Sequence, residues 1–532
     1  MQTHNKTKAH AQQIKPNVTP FSPSHTLRVG LHPPISTINL HPSLFPASHP
    51  SSPPPNMALT SLLSFFIAVT LLIRGLSAQL AGEQDFYWQN LQTQQQHKLQ
   101  ARTDCRVERL TAQEPTIRFE SEAGLTEFWD RNNQQFECAG VAAVRNVIQP
   151  RGLLLPHYNN APQLLYVVRG IIFDREGIQG TVIPGCAETF ERDTQPRQDR
   201  RRRFMDRHQK VRQFRQGDIL ALPAGLTLWF YNNGGEPLVT VALLDTGNAA
   251  NQLDQKFRHF FLAGNPQGGR QSYFGRPEME KQQGGTNNIF NGFDDEILAD
   301  AFGVDVQTAR RLKGQNDLRG RIVRAERFDI VLPVKKKRRK DEPARADVYN
   351  PRGGRITSLN SQSLPILSWL RLSAEKGVLY RNGLVAPHWN LNAHSIIYIT
   401  RGSGRFQVVG HTGRSVFDGV VREGQLIIVP QNYVVAKRAS EDEGLEWISF
   451  KTNDNAMTSQ LAGRLSAIRA MPEEVVMTAF QVSRDEARRL KYNREETRVF
   501  SSTSRYRPRS SRPMSNMPKP FEYALDVIKA MM

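Results

Sequence analysis

Short apolar runs separated by Gly, Pro and Asn dominate two stretches of the chain. Runs of this length, rich in Val, Ile, Leu and Tyr, predict the strands of compact antiparallel β domains. The clearest runs are residues 164–168, 219–222 and 238–244 in the first stretch and residues 396–399 and 426–429 in the second. The predicted fold class is therefore mainly β.

A helical pattern follows each set of strands. The first set has one apolar stripe at helical spacing and the second set repeats it: Ile297, Leu298, Ala301 and Phe302, then Val475, Val476, Ala479 and Phe480. Ser483 and Glu486 form a predicted capping box in the second extension. An apolar stripe at the end of a β domain can pack on another subunit or on its own domain, and the pattern leaves both open.

The two stretches are copies of each other. Gly152-Leu-Leu-Leu-Pro-His-Tyr158 returns as Gly383-Leu-Val-Ala-Pro-His-Trp389, and Ala301-Phe-x-Val304 returns as Ala479-Phe-x-Val482. Shared phrases in the same order indicate a duplicated domain. The spacing between the copies shrinks along the chain, which places polar surface insertions of the first copy within residues 191–212 and 264–288.

The N-terminal region carries a predicted export signal. Residues 1–56 contain no acidic residue and many Pro, Ser and His, so we interpret them as a disordered extension or as an artefact upstream of a start at Met57. The apolar run 62–73, followed by small residues up to Ala78, predicts a signal peptide at residues 57–78. A buried helix is the alternative interpretation of this run.

Entry into an oxidising compartment makes the three cysteines informative. A disulfide between Cys105 and Cys138, which would tie the N-terminal segment to the first domain, is the favoured pairing, and two free buried thiols are the alternative. The odd count leaves Cys186 as a free thiol or as an interchain partner. The sequence has no Cys-x-x-Cys and no Cys/His cluster, so a zinc site is not expected.

The 532-residue chain has a formal net charge of +20, and its densest basic run is residues 335–340. This run lies in a predicted linker, residues 333–345, between the two copies. A nuclear-import or nucleic-acid patch is one interpretation. No aromatic residues accompany the lysines, so base stacking has no support. We favour a solvated loop accessible to proteases and expect no nucleic-acid partner.

One spacing in the first copy resembles the second motif of the cupin family of jelly-roll β-barrels. It reads Gly217-x5-Pro223-x-Gly225-x2-Leu228-x3-Asn232. Every position matches except the metal-binding histidine, where Leu228 stands. The matching position in the second copy is Val435.

The segments around His157 and His388 resemble the first cupin motif. The remaining ligand positions hold Asn159 and Gln163 in the first copy, and Asn390 with His394 or Ser395 in the second. A metal-dependent cupin needs about three imidazoles and a carboxylate on one ion. The resemblance therefore implies a degenerate motif, and no metal or other cofactor is expected.

The cupin resemblance implies the architecture of the whole chain. It predicts two tandem cupin barrels, each followed by a small helical extension, at residues 79–332 and 346–500. Residues 501–532 would form a tail whose last residues have an apolar helical face, a weak indication of docking or vacuolar sorting.

Several long phrases narrow the resemblance to legumin-type (11S) seed storage globulins. Among them are Pro184-Gly-Cys-Ala-Glu-Thr-Phe190, Asn251-Gln-Leu-Asp-Gln-Lys-Phe257 and Phe450-Lys-Thr-Asn-Asp-Asn-Ala-Met457. The resemblance implies passage through the endoplasmic reticulum to protein-storage vacuoles. It also implies trimers and hexamers, formed alone or with other storage globulins, and breakdown as a nitrogen reserve at germination. No enzymatic activity and no membrane partner of the mature form are implied; a metal-dependent cupin enzyme or a small-ligand-binding cupin is the alternative.

The linker departs from the legumin pattern. Legumin precursors are cut between the domains at an Asn-Gly bond by vacuolar processing proteases, and a cysteine after the cut bridges to the position of Cys186. Residues 333–345 contain neither Asn-Gly nor Cys. Either the protein stays a single chain or the linker is incomplete as written, and cleavage with the hexamer that follows it is affected more than the trimer.

Overall fold

The computed structural model describes residues 105, 107–130, 132–170, 177–182, 189–190, 207–208, 211–268, 270–273, 288–328, 330 and 346–501. All of them belong to one compact unit of the chain, residues 83–532. The predicted N-terminal extension and signal peptide, Cys186, the basic linker 333–345 and residues 502–532 of the tail lie outside the described residues.

The first barrel is antiparallel. Its strands are β1 (Ile117–Ser121), β2 (Gly124–Phe128), β3 (Val141–Ile148), β4 (Gly152–Asn159), β5 (Gln163–Arg169), β6 (Gly177–Val182), β7 (Thr189–Phe190), β8 (Arg207–His208), β9 (Val211–Phe214), β10 (Ile219–Leu222), β11 (Thr227–Asn232), β12 (Leu238–Asp245), β13 (His259–Phe261), β14 (Arg270–Tyr273) and β15 (Ile322–Arg324). One sheet has the order β10-β5-β12-β3-β2-β1-β14, and the other has β13-β4-β11-β6-β9 with β15 beside β4. Strands β7 and β8 pair with each other. Strand β14 lies within the predicted insertion 264–288, so this part of the insertion extends a sheet.

The second barrel repeats this plan with shorter connections. Its strands are β16 (Val348–Asn350), β17 (Gly354–Leu359), β18 (Ser373–Leu379), β19 (Leu384–Asn390), β20 (Ser395–Val409), β21 (Ser415–Arg422), β22 (Leu426–Val429), β23 (Val434–Ala439), β24 (Leu445–Lys451), β25 (Thr458–Gln460) and β26 (Val499–Phe500). Strand β20 shifts register against β24 between Ile399 and Arg401. It pairs with β22 before the shift, with β24 on both sides of it, and with β21 and β23 along its second half. All five predicted strand runs fall within strands, so the mainly β prediction is confirmed.

The helices are short and lie mainly outside the barrels. They are α1 (Gln134–Ala139), α2 (Asp295–Phe302), α3 (Val306–Leu312), α4 (Leu367–Leu370), α5 (Ala467–Ala470), α6 (Glu473–Phe480) and α7 (Arg484–Tyr492), with a 3₁₀ turn at Ile289–Gly292. The pairs α2–α3 and α6–α7 are the two predicted extensions, and the capping box of Ser483 and Glu486 at the start of α7 is confirmed. None of the helices in the described part of the chain is long and apolar enough to span a bilayer.

The two barrels share a core because their central strands are buried on both faces. Successive side chains of a strand point to opposite faces of its sheet. On β12, Leu244 points into the first barrel, whereas Leu243 packs in a cluster with Ile448 and Phe450 of β24. Trp447, on the other face of β24, lies inside the second barrel. The barrels are therefore joined through the outer faces of these strands.

An N-terminal strap, residues 107–114, also joins the two barrels. Val107 and Leu110 are buried in the core of the second barrel, and Leu110 N donates a 2.8 Å hydrogen bond to the carbonyl of Val416. A disulfide connects Cys105, just before the strap, to Cys138 on α1 at the head of the first barrel. The strap is thus anchored on one barrel and packs on the other.

Candidate functional site

The motif positions of the two copies lie opposite each other on paired strands. In the first barrel His157 on β4 is the register partner of Leu228 on β11. In the second barrel His388 on β19 is the partner of Val435 on β23. All four side chains are buried. Each barrel therefore places one imidazole and one aliphatic side chain where a cupin metal site would begin.

Both motif histidines are held as neutral imidazoles. The Nδ1 atoms of His157 and His388 each lie 2.8 Å from a backbone carbonyl two residues earlier, at Leu155 and Ala386. A carbonyl only accepts, so Nδ1–H donates and Nε2 carries no proton. Burial lowers the pKa of His157 to about 4. Burial, and after it two neighbouring cations, holds the pKa of His388 well below its ordinary value.

A third histidine, His259 on β13, was missed by the sequence analysis. It is the register partner of Asn159, and its ring centroid lies 5.1 Å from that of His157. Its ring also packs against Phe257 and Phe261, at 4.4 and 5.6 Å. Residues 257–261 match neither cupin motif, but the alternation Phe257, His259, Phe261 indicates one inward face. This alternation is the sequence pattern from which an inward-facing His259 could have been predicted.

These side chains do not fit a cupin metal centre. Within the described ranges, no three His, Cys, Asp or Glu side chains lie close enough to share an ion. Leu228 and Val435 supply no donor atom. His394, which sequence analysis placed at a ligand position, accepts a 3.2 Å hydrogen bond at Nδ1 from the backbone of Gln431. We therefore derive no metal chemistry from the motif.

A buried arginine lies near the imidazoles of the first barrel. The guanidinium carbon of Arg321 lies 3.8 Å from the ring centroid of Phe119 and 5.2 Å from that of Phe128. Its Nε donates a 3.3 Å hydrogen bond to the carbonyl of Pro266. Burial lowers the pKa of Arg321 to about 9. Aromatic faces thus take the place of a carboxylate beside this cation.

The second barrel contains a charged core cluster, defined here as Glu375, Lys437, Lys451 and Arg498. All four side chains are at least nine-tenths buried. Arg498 Nη2 lies 2.8 Å from Glu375 Oε2, and Lys437 Nζ lies 4.6 Å from the centroid of the Trp447 ring. The sequence analysis predicted none of these four residues as a site.

Polar side chains of β19 and β20 bind one of the lysines. Lys451 Nζ donates a 3.0 Å hydrogen bond to Asn390 Oδ1 and a second hydrogen bond to Ser395 Oγ. These are two of the positions where a cupin would place metal ligands. An ammonium group therefore occupies this part of the motif in the second barrel.

The cluster changes the ionisation of its members. Burial lowers the pKa of Lys437 to about 7 and that of Lys451 to about 8. Burial opposes ionisation of Glu375, but Arg498 and the two lysines outweigh it and hold the pKa of this carboxyl below its usual range. The second barrel therefore keeps a carboxylate ionised among three basic side chains.

A cavity of about 300 Å³ lies beside the disulfide. Its wall includes Phe136, Phe257 and the carboxylates Glu137 and Asp254, and none of its lining residues is a histidine. Both cysteines that border it are joined in the disulfide.

The chain is similar to a known protein family and to curated relatives. The profile of the family described as Cupin matches residues 109–268 and 340–488. An 11S globulin seed storage protein 1 of Carya illinoinensis is 47% identical over 84% of this chain and 98% of its own length. Cocosin 1 of Cocos nucifera is 46% identical over 84% of this chain and 98% of its own length.

Solved structures agree with these similarities. The crystal structure of the coconut allergen cocosin superposes with a TM-score of 0.66 at 48% identity, covering 75% of this chain and all of that one. The crystal structure of pumpkin seed globulin gives 0.66 at 49% identity, covering 75% of this chain and 99% of that one. The similarity thus extends over both barrels and over nearly the full length of the solved chains.

Proposed function

Because the chain belongs to the 11S globulin family of cupin proteins, we propose that it is a seed storage protein that serves as a nitrogen reserve. The observation that carries the proposal is the similarity over 98% of the length of relatives named as seed storage proteins. The motif positions support it, because Leu228 and Val435 stand where a cupin enzyme would need metal ligands. Such a protein is selected for stable packing and assembly rather than for a reaction.

The proposal includes assembly into a closed trimer through the helical extensions. Ile297 and Phe302 on α2 are more than half exposed, and Val475 and Phe480 on α6 are about half exposed. These pairs occupy equivalent positions of the two copies. Matching apolar faces on the two extensions of one chain suit a head-to-tail ring, in which each extension covers the other kind on the next subunit.

Placing a charged residue on each apolar face tests whether the trimer assembles through the extensions. Phe302→Asp and Phe480→Asp are each expected to shift the full-length protein from trimer to monomer in light scattering after size exclusion. Val420→Asp, at an exposed valine of β21, is the control for a surface charge and should leave the trimer intact. Trimers that persist in both extension variants would contradict assembly through these faces.

The storage role itself is tested in the tissue. We propose delivery through the endoplasmic reticulum to protein-storage vacuoles, where proteases degrade the protein at germination. Quantitative mass spectrometry of seeds should find it among the abundant proteins at maturity and largely lost after germination. A low, constant level in seeds and leaves would contradict storage. The same spectra would report whether the chain is cut in the linker 333–345.

A further inference from the structure

The strap lies in a groove of the second barrel, between helix α1 and the outer edge of strand β22. Gln113 and Leu426 exchange two backbone hydrogen bonds of 2.8 Å, so the strap extends the sheet at this edge. Gln135 on α1 accepts a 3.3 Å hydrogen bond from Thr111 N and donates one of 3.0 Å to Thr111 Oγ1. The groove therefore binds an extended segment through the strand edge and through the helix.

The duplication gives the first barrel an equivalent groove between α4 and the outer edge of β10, called here the α4–β10 groove. Ile219 is the equivalent of Leu426, because the two residues pair with equivalent tyrosines of β5 and β20. Val167 N donates to the carbonyl of Asp218, the next pair along, so the N–H and C=O of Ile219 point away from β5. No backbone hydrogen bond from another described segment reaches Ile219. Residues 219–221 are only half-buried, whereas all of β22 is buried.

Helix α4 carries apolar side chains where α1 holds the strap. Both helices end at a residue with a left-handed backbone, at φ 62° and 56°. Counted back from these residues, Ile366 takes the place of Gln135, and Trp369 takes the place of the disulfide-bonded Cys138. Trp369 is 85% exposed and Ile366 is 39% exposed. Exposed apolar patches of this kind mark interaction surfaces.

The linker has the chain position of the strap but not its apolar residues. Pro115, which precedes β1, corresponds to Pro343, which precedes β16, so residues 335–341 correspond to 107–113 of the strap. The strap buries Val107 and Leu110. Residues 335–341 read Lys-Lys-Lys-Arg-Arg-Lys-Asp and offer no apolar side chain. A different segment is therefore needed to cover the α4–β10 groove.

The carboxyl-terminal sequence has a pattern that fits this groove. Residues 521–527 read Phe-Glu-Tyr-Ala-Leu-Asp-Val, with an apolar residue at every second position, as in a strand with one buried face. Residues 502–520 separate this segment from the end of the described structure, and a chain of that length extends to about 60 Å. A folded chain of this size has a radius of gyration of about 22 Å. The segment can therefore reach β10 of its own chain.

We propose that residues 521–527 dock in the α4–β10 groove of the same chain as an added strand. The segment exchanges backbone hydrogen bonds with Ile219, as the strap does with Leu426, and its apolar side chains cover Ile366 and Trp369. In strand addition, main-chain hydrogen bonds give affinity and side-chain contacts give specificity. The tail thus covers the first barrel as the strap covers the second. The proposed storage role does not depend on this contact.

Hydrogen exchange of the full-length protein and of a variant that ends at residue 512 tests the contact. The amide of Ile219 should exchange at least about tenfold faster in the truncated protein, because its N–H loses a hydrogen-bond partner. The amide of Leu426 is the internal control and should not change, since the strap still covers it. A synthetic peptide of residues 518–530, added to the truncated protein, should restore slow exchange at Ile219.

Single substitutions separate this contact from a general effect of truncation. Trp369→Asp changes an exposed side chain, so the barrels should stay folded. In the full-length protein it should speed exchange at Ile219, and in the truncated protein it should weaken binding of the peptide by roughly tenfold or more, measured by fluorescence polarisation. Val420→Asp, at an exposed valine of β21, is the matched control and should change neither result. A peptide with Phe521→Asp and Leu525→Asp should not bind.

Four results would overturn the proposal. Equal exchange at Ile219 in the full-length and truncated proteins would mean that the tail does not cover this edge. Protection that depends on protein concentration would assign the groove to a second copy of the chain. A peptide that binds the Trp369→Asp variant as tightly as the unsubstituted protein docks elsewhere. Binding that needs Trp369 but leaves exchange at Ile219 fast would mean that the segment docks without adding a strand.

Discussion

The two barrels hold equivalent buried arginines in different ways. Leu155 N donates to the carbonyl of Arg321, and its repeat equivalent Ala386 N donates to that of Arg498. Arg321 in the first barrel lies against the faces of phenylalanine rings, and no carboxylate pairs with it in the described structure. Arg498 in the second barrel lies 2.8 Å from Glu375 and shares the interior with two lysines. The scaffold therefore fixes the position of the cation but not the means of stabilising it. The residues that face the arginine differ between the two barrels, and they make the first interior aromatic and the second charged.

The neighbouring asparagines show the same contrast. Asn390 accepts a 3.0 Å hydrogen bond from Lys451 and donates one of 3.0 Å to Ser395. In the first barrel Leu244 stands in place of the lysine, and neither amide atom of Asn159 has a hydrogen-bond partner within the described ranges. Both copies have an asparagine at this position, but the side chains around it differ. A polar network thus exists in one barrel and only a remnant of it in the other.

The largest effect is expected from removing the carboxylate of the charged cluster. Glu375→Gln leaves Arg498, Lys437 and Lys451 buried without a counter-charge, and breaking a buried pair in this way costs about 3–5 kcal/mol. Urea unfolding monitored by tryptophan fluorescence would measure the loss. Glu375→Asp is the control, because it keeps the negative charge, and it should lose far less. Equal losses in both variants would show that shape, not charge, sets the cost.

The disulfide offers a second test, because its strap crosses from one barrel to the other. The bond closes a loop of 33 residues between Cys105 and Cys138. Cys138→Ser should lower the free energy of unfolding by about 2–4 kcal/mol. Hydrogen exchange should then rise at the amide of Leu426, which donates to Gln113 on the strap, and much less on β4 of the first barrel. Equal rises in both barrels would mean that the strap stabilises the molecule as a whole.

The pH dependence of stability should also separate the barrels. The pKa of Lys437 is about 7 and that of Lys451 about 8 in the folded protein, against 10.5 ordinarily. At pH values between the folded and the ordinary pKa, each lysine binds more protons in the unfolded chain than in the folded protein. The free energy of unfolding therefore rises with pH. We expect a gain of about 3–4 kcal/mol between pH 7 and pH 9 from the two lysines together.

The same urea titrations provide the control for this pH effect. Glu375 stays ionised and His388 stays neutral over this range, so the lysines dominate the pH dependence of the charged cluster. The double variant Lys437→Phe and Lys451→Leu carries the residues of the first barrel at these positions, Phe230 and Leu244, and should show a flatter curve. Curves of equal slope would assign the pH effect to groups outside the charged cluster.

Much of the fold could be predicted because its signals are local. Apolar runs such as 219–222 and 426–429 coincide with strands β10 and β22, and the spacing of Ser483 and Glu486 identifies the start of α7. Because the domain is duplicated, each copy supports the interpretation of the other. The predicted insertion 264–288 shows the limit, since the pairing of β14 with β1 depends on a strand far away in sequence.

The charged interior could not be predicted in the same way. Lys437 and Arg438 are adjacent in a polar-looking stretch, yet Lys437 is buried and Arg438 is exposed. Alternation from the motif position Val435 does place Lys437 on the inner face, so part of the signal was present. That Arg498 and Glu375 meet there depends on β18 and on the chain that follows α7. Only the tertiary pairing of these segments reveals the cluster.

The smallest expected effect compares the caps of the two helical extensions. Ser483 accepts a hydrogen bond from Glu486 N at the start of α7, and Asp305, its repeat equivalent, accepts one of 2.9 Å from Thr308 N at the start of α3. Ser483→Ala should lower stability by about 1 kcal/mol, because it leaves a helix N–H without its partner. Asp305→Ala should act in the same direction, and Ser483→Asp should recover most of the loss. Circular dichroism during urea unfolding measures all three, and an unchanged midpoint in both alanine variants would mean that the extensions unfold independently of the barrels.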